Sequence, residues 1–421
     1  MKEKPKRIML LTTPQTYRAQ AFVAAADKLG IEIVQALDLP QALADQWGMQ
    51  LSVDLREPDT AVSTIVAYAQ KRPLAAVMAV DDAGALLAAQ ASRALGLPHN
   101  DVAAAEAARD KFKMRQMLAA AQVASPPFRR FLAQDSTETM AAQVASEIGY
   151  PCIVKPLHLN GSRGVIRANN AAELREAAAR VRSMLQQMNA DPVFLVERFI
   201  PGVEVALEGV LVNSRLQVLA LFDKPDPLDG PFFEETIYVT PSRLPQKTQD
   251  LIAATTADGA RALGLQTGSV HAELRINEEG AWIVEVNGRS IGGLCSQTLR
   301  FDMGMSLEEL LLRQACGLDV SGLQREQQAS GVMMIPIPHG GILRGFSGVE
   351  AAKATPHIDD ITITAPLNNR LVPLPEGESY LGFIFASGED PAVVEAALRQ
   401  AHSCLQFKID EEIPLQLVRK A

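Results

Sequence analysis

Two glutamates twelve residues apart, Glu273 and Glu285, carry the first chemical signal in this sequence. They stand in "HAELRINEEGAWIVEVNGR", where "TGSVHAELRIN" and "AWIVEVNG" read as paired strands joined by "EEG". A hairpin sets the two carboxylates on neighbouring strands, and Asn287 and Arg289 follow Glu285 at period two, on the same face. Facing carboxylates repel unless a cation sits between them. Two carboxylates and an amide oxygen are hard ligands suited to Mg²⁺, which keeps waters and substrate phosphates as its other ligands. Arg289 would then reach a phosphate being transferred or a substrate anion. A cross-strand salt-bridge ladder is the competing explanation, and the shared sign of the facing pair counts against it. His271, in the same strand, serves either as a base or as a hydrogen-bonded core histidine. Gly292 and Gly293 in "RSIGG" leave room for a substrate beside this face; a structural turn explains them equally well.

Three other stretches could hold a nucleotide. In "CIVKPLHLNGSRGV" a lysine, Lys155, ends a buried strand and a loop with Gly161, Ser162 and Gly164 follows. Glycines let backbone N–H groups approach phosphates closely, although GxxxxGK[ST] is missing and an exposed turn would read the same way. "FLVERFIPGVE" runs from a buried strand into Glu197, then Phe199 and Ile200, a Pro-Gly break and Glu204. Such a hinge offers backbone groups for an adenine edge, apolar flanks and a carboxylate for a ribose diol; solvated glutamates at a strand end are the alternative. "ARDKFKMRQML" puts Asp110, Lys111, Lys113 and Arg115 in a helix whose charges could equally be a solvated face.

Elements must position these groups. The first hundred residues alternate strand and helix: "RIMLLTT", "AQAFVAAADKLG", "IEIVQAL", "LAAVMAV" and "AGALLAAQASRALGLP". That is βαβ order and predicts a parallel sheet covered by helices. No GxGxxG follows the first strand, so this domain reads as a scaffold that helps shape a cleft. "DVAAAEAARDKFKMRQMLAAAQV" predicts one long helix closed by "SPP". Further helices are expected from about Ala171 to Met188, in "QDLIAATTADGARALG", in "SLEELLLRQACG" and in "DPAVVEAALRQAHSCL". "PDPLDGPFFEETIYVTPSRLP" reads as a Pro/Gly-rich loop.

At 421 residues with 48% hydrophobic and 21% charged residues, the chain can bury two or three domain cores. No apolar run approaches the roughly 20 residues of a membrane span. "MKEKPKRIMLLTT" has a basic head but too short an apolar core for a secretion signal. Four cysteines without CxxC spacing argue against a zinc site or a disulfide framework and predict a reduced cytoplasm. A net charge of −9 disfavours nucleic-acid binding, since phosphate contacts need a basic face.

Taken in order, "DKFKMR", "YPCIVKP" with "GSRGV", "LVERFIPGVE", "HAELR" and "EVNGR" resemble the ATP-grasp superfamily over nearly the whole chain. "GGILRGFSGVEAA" and "YLGFIFASGEDPAVVEAALRQAH" resemble the C-terminal region of its L-amino-acid ligase and carnosine-synthase-like branch, a sister of biotin carboxylase. The resemblance implies an α/β (α+β) ATP-grasp fold. Residues 1–105 would form a Rossmann-like α/β domain, 106–320 the two-lobed grasp with a nucleotide-clamping lobe at about 120–205, and 321–421 an α+β closing lobe. It implies Lys111 and Lys155 on ATP phosphates, helped by backbone from His158 to Val165, which includes Gly161, Ser162, Arg163 and Gly164. Glu197, Arg198, Phe199 and Ile200 would hold adenine and Glu204 ribose. Glu273, Glu285 and Asn287 would hold one or two Mg²⁺, replaceable by Mn²⁺, and Arg289 would stabilise an acyl phosphate. Glu235 and Tyr238 fall in a segment that faces substrate in dipeptide ligases, many of which have histidine in place of Tyr238; a β-ribbon with ordinary outward polar groups explains them equally well. Arg344, in "GGILRGFSG", reads either as a clamp for a substrate carboxylate or as a surface charge.

The implied activity is carboxylate–amine ligation on small molecules, amino acids among them, with release of ADP and phosphate by a cytoplasmic enzyme; relatives are often homodimers. A biotin-carboxylase-like carboxylase is the alternative, although the residues after Arg289 depart from that pattern and no biotinyl Met-Lys-Met module is present. A non-catalytic nucleotide sensor is third, disfavoured by retention of both lysines, both glutamates, Asn287 and Arg289.

Overall fold

In the computed structural model, which describes residues 5–14, 16, 18–46, 48 and 51–411, "RIMLLT" forms a strand, Arg7–Thr12, buried on nearly every position. Burial on both faces is what a continuous apolar run requires of a central parallel strand. It pairs in parallel with Glu32–Asp38 on one side and Ala76–Ala79 on the other, and Leu51–Val53 extends the sheet beyond Glu32–Asp38. Helices Ala19–Leu29 and Pro58–Lys71 connect strands of this sheet, and Asp82–Leu95 follows its last strand. Gly30 and Gly96 end two of the helices in the left-handed conformation, which glycine adopts without a Cβ penalty. The basic head at residues 1–4 and the last ten residues, at the ends of the expected first and last domains, lie outside the described residues.

The chain divides into two compact units. The first comprises Met1–Pro126, Ile200–Asp223 and Pro241–Gln327; the second comprises Pro127–Phe199, Lys224–Thr240 and Gln328–Ala421.

Besides the parallel sheet, the first unit holds four antiparallel strands in the order Gly280–Asn287, Gly268–Asn277, Val203–Val212 and Arg215–Asp223. One face buries Val270, Ala272, Leu274 and Val205 against Met114, Leu118, Ile252 and Leu263. The opposite face carries Glu204, Glu208, His271 and Glu273 among buried apolar side chains such as Ala206, Val210 and Phe222. A β-bulge divides the hairpin: Glu273 pairs with Glu285 but Leu274 pairs with Ile283, so Val284 is the extra residue. Ala281 and Ile283 are core residues, and without the bulge Glu285 and Asn287 would share their face. The bulge reverses the phase, so that Val286 enters the core and the two polar side chains face away from it.

The long helix expected from Asp101 is two helices, Val102–Arg109 and Lys111–Ala120. Asp110 between them is extended, with φ −99° and ψ 106°, and its side chain accepts from the N–H groups of Phe112 and Lys113 at 2.8 and 3.1 Å. A side-chain oxygen that competes for helical N–H groups favours a cap over a helix interior, and here it starts a new helix with Lys111 at its first position.

In the second unit, strands Phe128–Leu132, Val193–Arg198, Cys152–Pro156 and Ile166–Ala168 form an antiparallel sheet in that order. Helices Thr137–Glu147 and Ala171–Gln187 pack on it through Met140, Val144, Leu174 and Val181. Ile237–Thr240, Ala329–Ile335, Gly382–Gly388 and Ile358–Ile363 form a second antiparallel run, packed on helix Pro391–Cys404. The stretch expected to be a Pro/Gly-rich loop therefore contains a strand: "IYVT" is buried throughout and pairs with Ala329–Ile335. A separate three-stranded sheet has Gly341–Ser347 between Arg370–Leu371 and Gln406–Asp410. Among the described residues no helix is long and apolar enough to cross a membrane.

Replacing Asp110 by Ala removes the cap of the Lys111–Ala120 helix and is expected to cost about 1 kcal/mol in denaturant-melt stability, whereas Asp110→Asn retains most of it.

Candidate active site

On the polar face of the first unit's antiparallel sheet, Glu273 and Glu285 are direct register partners, and His271 stands opposite Asn287. Cations attend both carboxylates. Lys111 Nζ lies 3.3 Å from Glu285 Oε1, and His271 Nε2 lies 3.5 Å from Glu273 Oε1. Asn287 is buried. The other imidazole nitrogen, Nδ1, is 3.2 Å from Oε2 of Glu208, a fully buried carboxylate that also accepts from the N–H of Ile291 at 2.9 Å. Burial opposes a charge on His271, but Glu208 and Glu273 outweigh it and raise its pKa to about 8. Burial also raises the Glu208 carboxyl, and its Oε1 has no hydrogen-bond partner among the described residues. His271 thus lies among acidic partners in the polar interior.

Arg289 lies past the end of its strand, which stops at Asn287, so the period-two row does not extend to it. Its Nε donates to Asp82 Oδ2 at 2.7 Å and its Nη1 to the Ser290 carbonyl at 2.9 Å. Burial works against the guanidinium charge, but Asp82, Glu285 and Glu208 hold its pKa above the ordinary value. Arg18, also buried, fixes the next residue: it donates to Ser290 Oγ at 2.6 Å and to the Val80 carbonyl at 2.7 Å. Gly292 has open space where a Cβ would stand, and Gly293 has φ +60°. At the other end of the polar face, Glu204 Oε2 accepts from Arg275 Nε at 3.0 Å, and Arg275 Nη1 donates to the Ile200 carbonyl at 3.2 Å.

In the second unit, Lys155 Nζ and Glu197 Oε1 are 2.5 Å apart and both residues are buried. Phe199 lies beside them in a small apolar cluster with Ile153, Leu228 and Phe233, and the Arg167 guanidinium sits 4.3 Å over its ring. Arg198 turns instead to the Ile148 carbonyl. The loop after Lys155 has Gly161, Ser162 and Gly164 at φ +59°, +56° and +73°. His158 is exposed. The amides of Arg163, Gly164 and Val165 donate to Asn160, Pro375 and Ser162 carbonyls; those of Gly161 and Ser162 have no acceptor among the described residues. Glu235 Oε1 takes both the Tyr238 hydroxyl, at 2.8 Å, and the Lys224 ammonium, and that ammonium lies 4.9 Å from the Tyr238 ring centre. Arg344 stands apart in the three-stranded sheet, half-exposed and bonded to Asp410 at 2.8 Å and Asn368 at 3.1 Å.

Sequence reading missed Asp82, Arg18, Glu208 and Lys224. Asp82 had a signal: "VDDAGALL" puts acids at a strand-to-helix junction, where parallel sheets bind ligands. Lys224 ends "LFDK", next to the presumed loop; Arg18 and Glu208 had no local signal.

Three family descriptions match the sequence: ATP-grasp N-terminal domain over residues 23–99, ATP-grasp domain over 148–298, and L-amino acid ligase C-terminal domain 2 over 333–410. A D-alanine–D-alanine ligase of Gloeobacter violaceus is 30% identical over 52% of this chain and 72% of its own length. The chain belongs to the ATP-grasp ligases. The alanine–anticapsin ligase of Bacillus subtilis is 26% identical over 75% of this ATP-grasp chain and 70% of its own. The crystal structure of an L-amino acid ligase from Bacillus licheniformis superposes with a TM-score of 0.81 at 24% identity, covering 97% of this chain and all of that one, which shows the ATP-grasp fold. The protein is therefore an ATP-dependent, amide-forming ligase of this family.

ATP-grasp enzymes use ATP and divalent metal. The donor chemistry of Glu273, Glu285 and Asn287 fits Mg²⁺, being all oxygen and including a like-charged pair in register. At roughly 5 Å and an effective dielectric near 20, two such charges repel by about 3 kcal/mol, an interaction a divalent ion reverses.

In the Lys155 loop, Gly164→Ala would place a Cβ 2.7 Å from Pro156 Cγ at a left-handed φ. The strain of about 1–3 kcal/mol should reshape the loop and raise the KM for ATP about tenfold or more, read by ADP release at varied ATP.

Proposed function

We propose that this ligase activates an amino-acid carboxylate as an acyl phosphate and transfers the acyl group to a second amine, giving a dipeptide or similar amide. The observation that carries the reading is the register pair of Glu273 and Glu285 with Lys111 3.3 Å from one of them. In the first step a substrate carboxylate oxygen attacks the γ-phosphorus and the bond to the ADP oxygen breaks. In the second the amine attacks the acyl carbon, phosphate leaves and the amine loses a proton.

Glu273, Glu285 and Asn287 would hold one or two Mg²⁺, or Mn²⁺ in its place, supplying positive charge against the phosphate oxygens. Lys111 and Lys155 are assigned to ATP phosphates, the latter with the loop from His158 to Val165. Lys155 is buried against Glu197, and glycines with positive φ let its loop present amides, which supports the assignment. Glu197 to Ile200 are assigned to adenine, supported by the apolar cluster around Phe199; Glu204, oriented by Arg275, is assigned to ribose. Arg289, held by Asp82, would stabilise the charge that develops on the acyl phosphate. Glu235, Tyr238, His271, Gly292 and Gly293 are assigned to substrate. So is Arg344, although its partners Asp410 and Asn368 engage it on a half-exposed sheet.

The domain division at about 105 and 320 accords with the gaps between the matched families. A cytoplasmic location accords with four free thiols. A homodimer follows from the sequence resemblance alone and is read by sedimentation.

The test is ADP release with ATP, Mg²⁺ and amino acids offered in pairs, with mass spectrometry of the products. An amide should form, and Glu285→Ala should lower turnover at least about a hundredfold while the variant remains folded. If no pair and no simple carboxylate–amine mixture stimulates phosphate release, the ligase reading falls.

A further inference from the structure

A cavity of about 200 Å³ lies inside the first unit, with Asp82 and Arg289 among its walls. It sits at one end of the row formed by Ser269, His271, Glu273 and Arg275, whose side chains share a face of their strand. Ser269 lines the cavity, Glu273 belongs to the carboxylate pair, and Arg275 holds Glu204 at the far end. On the helix that begins at Asp82, Ala85, Ala88 and Ala89 follow at spacings that keep them on the same side, and all three line the space. Ala105 and Ala108 wall it as well. The volume exists because these side chains are methyl groups.

Polar groups in the wall are largely spent. Asn100 accepts from the amides of Gln266 and Thr267 and donates to the Thr267 carbonyl, and Gln314 donates to the Leu211 carbonyl. The Asp82–Arg289 pair is different. Its hydrogen bonds use Nε and Nη1 of the arginine and one carboxylate oxygen, leaving Nη2 and Asp82 Oδ1 without a hydrogen-bond partner among the described residues. A cationic donor and an anionic acceptor side by side match the two charges of an amino-acid zwitterion.

We infer that Asp82 takes the ammonium and Arg289 the carboxylate of the acyl-donating amino acid, whose apolar side chain, of about four carbons or more, fills this cavity. This inference rests on the ligase reading and adds which substrate is bound here and what side chain it carries. The volume exceeds the roughly 150 Å³ of an apolar void that accommodates benzene, so leucine, methionine or phenylalanine side chains fit. Because the carboxylate bound at Arg289 is the one activated, the apolar residue becomes the amino-terminal residue of the product.

The full-length protein is given ATP, Mg²⁺ and a mixture of glycine, alanine, leucine, methionine, phenylalanine and glutamate, and the products are sequenced by tandem mass spectrometry. Leucine, methionine or phenylalanine should occupy the amino-terminal position. Ala88→Leu should lower kcat/KM for these donors at least about tenfold more than it lowers kcat/KM for alanine or glycine as donor. Asp82→Asn should raise the KM for the amino-acid donor and erase its preference over the same acid lacking the ammonium. Should Ala88→Leu fail to fold, Ala105→Val occupies the same space. Glycine or glutamate as the predominant amino-terminal residue overturns the inference, the latter because Arg109, also in the wall, would then be reading an acidic side chain. An equal loss for every donor in Ala88→Leu overturns it too. Either result leaves the ligase reading standing, whereas absence of product from every pair removes both.

Discussion

The repulsion between Glu273 and Glu285 is the constraint around which the first unit is arranged. Antiparallel pairing fixes the two side chains opposite one another, so their charges share one small region of the polar face. The protein surrounds them with positive charge: Lys111 from the start of a helix and His271 from the adjacent strand position. Each attendant is itself anchored, Lys111 by the helix that Asp110 caps and His271 by the buried Glu208. A divalent ion suits a site of this kind because it resolves the repulsion and brings phosphate oxygens with it.

The hairpin was legible because its information is local. Alternation identified both strands, "EEG" identified the turn, and the twelve-residue spacing brought the acids together. The same holds for Lys155 and its glycines, and for helices that end at Gly30 and Gly96. What the sequence hid is non-local. Arg289 and Asp82 are separated by 207 positions, Arg18 and Ser290 by 272, and Ile291 and Glu208 by 83. No periodicity or motif links such pairs. The scaffold reading of the first domain was accordingly incomplete, since that domain supplies the carboxylate that orients Arg289.

Two local readings gave way to competing local effects. Alanine-rich periodicity favoured one helix across Asp110, but a side chain able to bind two helical N–H groups made a break there more stable than continuation. Proline and glycine between residues 225 and 245 favoured a loop, yet "IYVT" carries enough β-branched and aromatic surface to join a sheet, and this brings Tyr238 to Glu235 and Lys224. Arg344 illustrates the converse: a lone arginine in a strand gave no means of distinguishing a ligand clamp from the Asp410 pair it forms.

The bulge at Val284 separates one strand into two stretches under different selection. Before it, odd positions must be apolar to pack; after it, odd positions face away from the core and are polar. Homologous chains can therefore drift in the first stretch toward any well-packed core without disturbing the second. A single-residue deletion is another matter, because it would rotate the amide and carboxylate into the hydrocarbon interior at a stroke. Point substitution should accordingly be the permitted mode of change in this hairpin, and length variation should be confined to the turn at its tip.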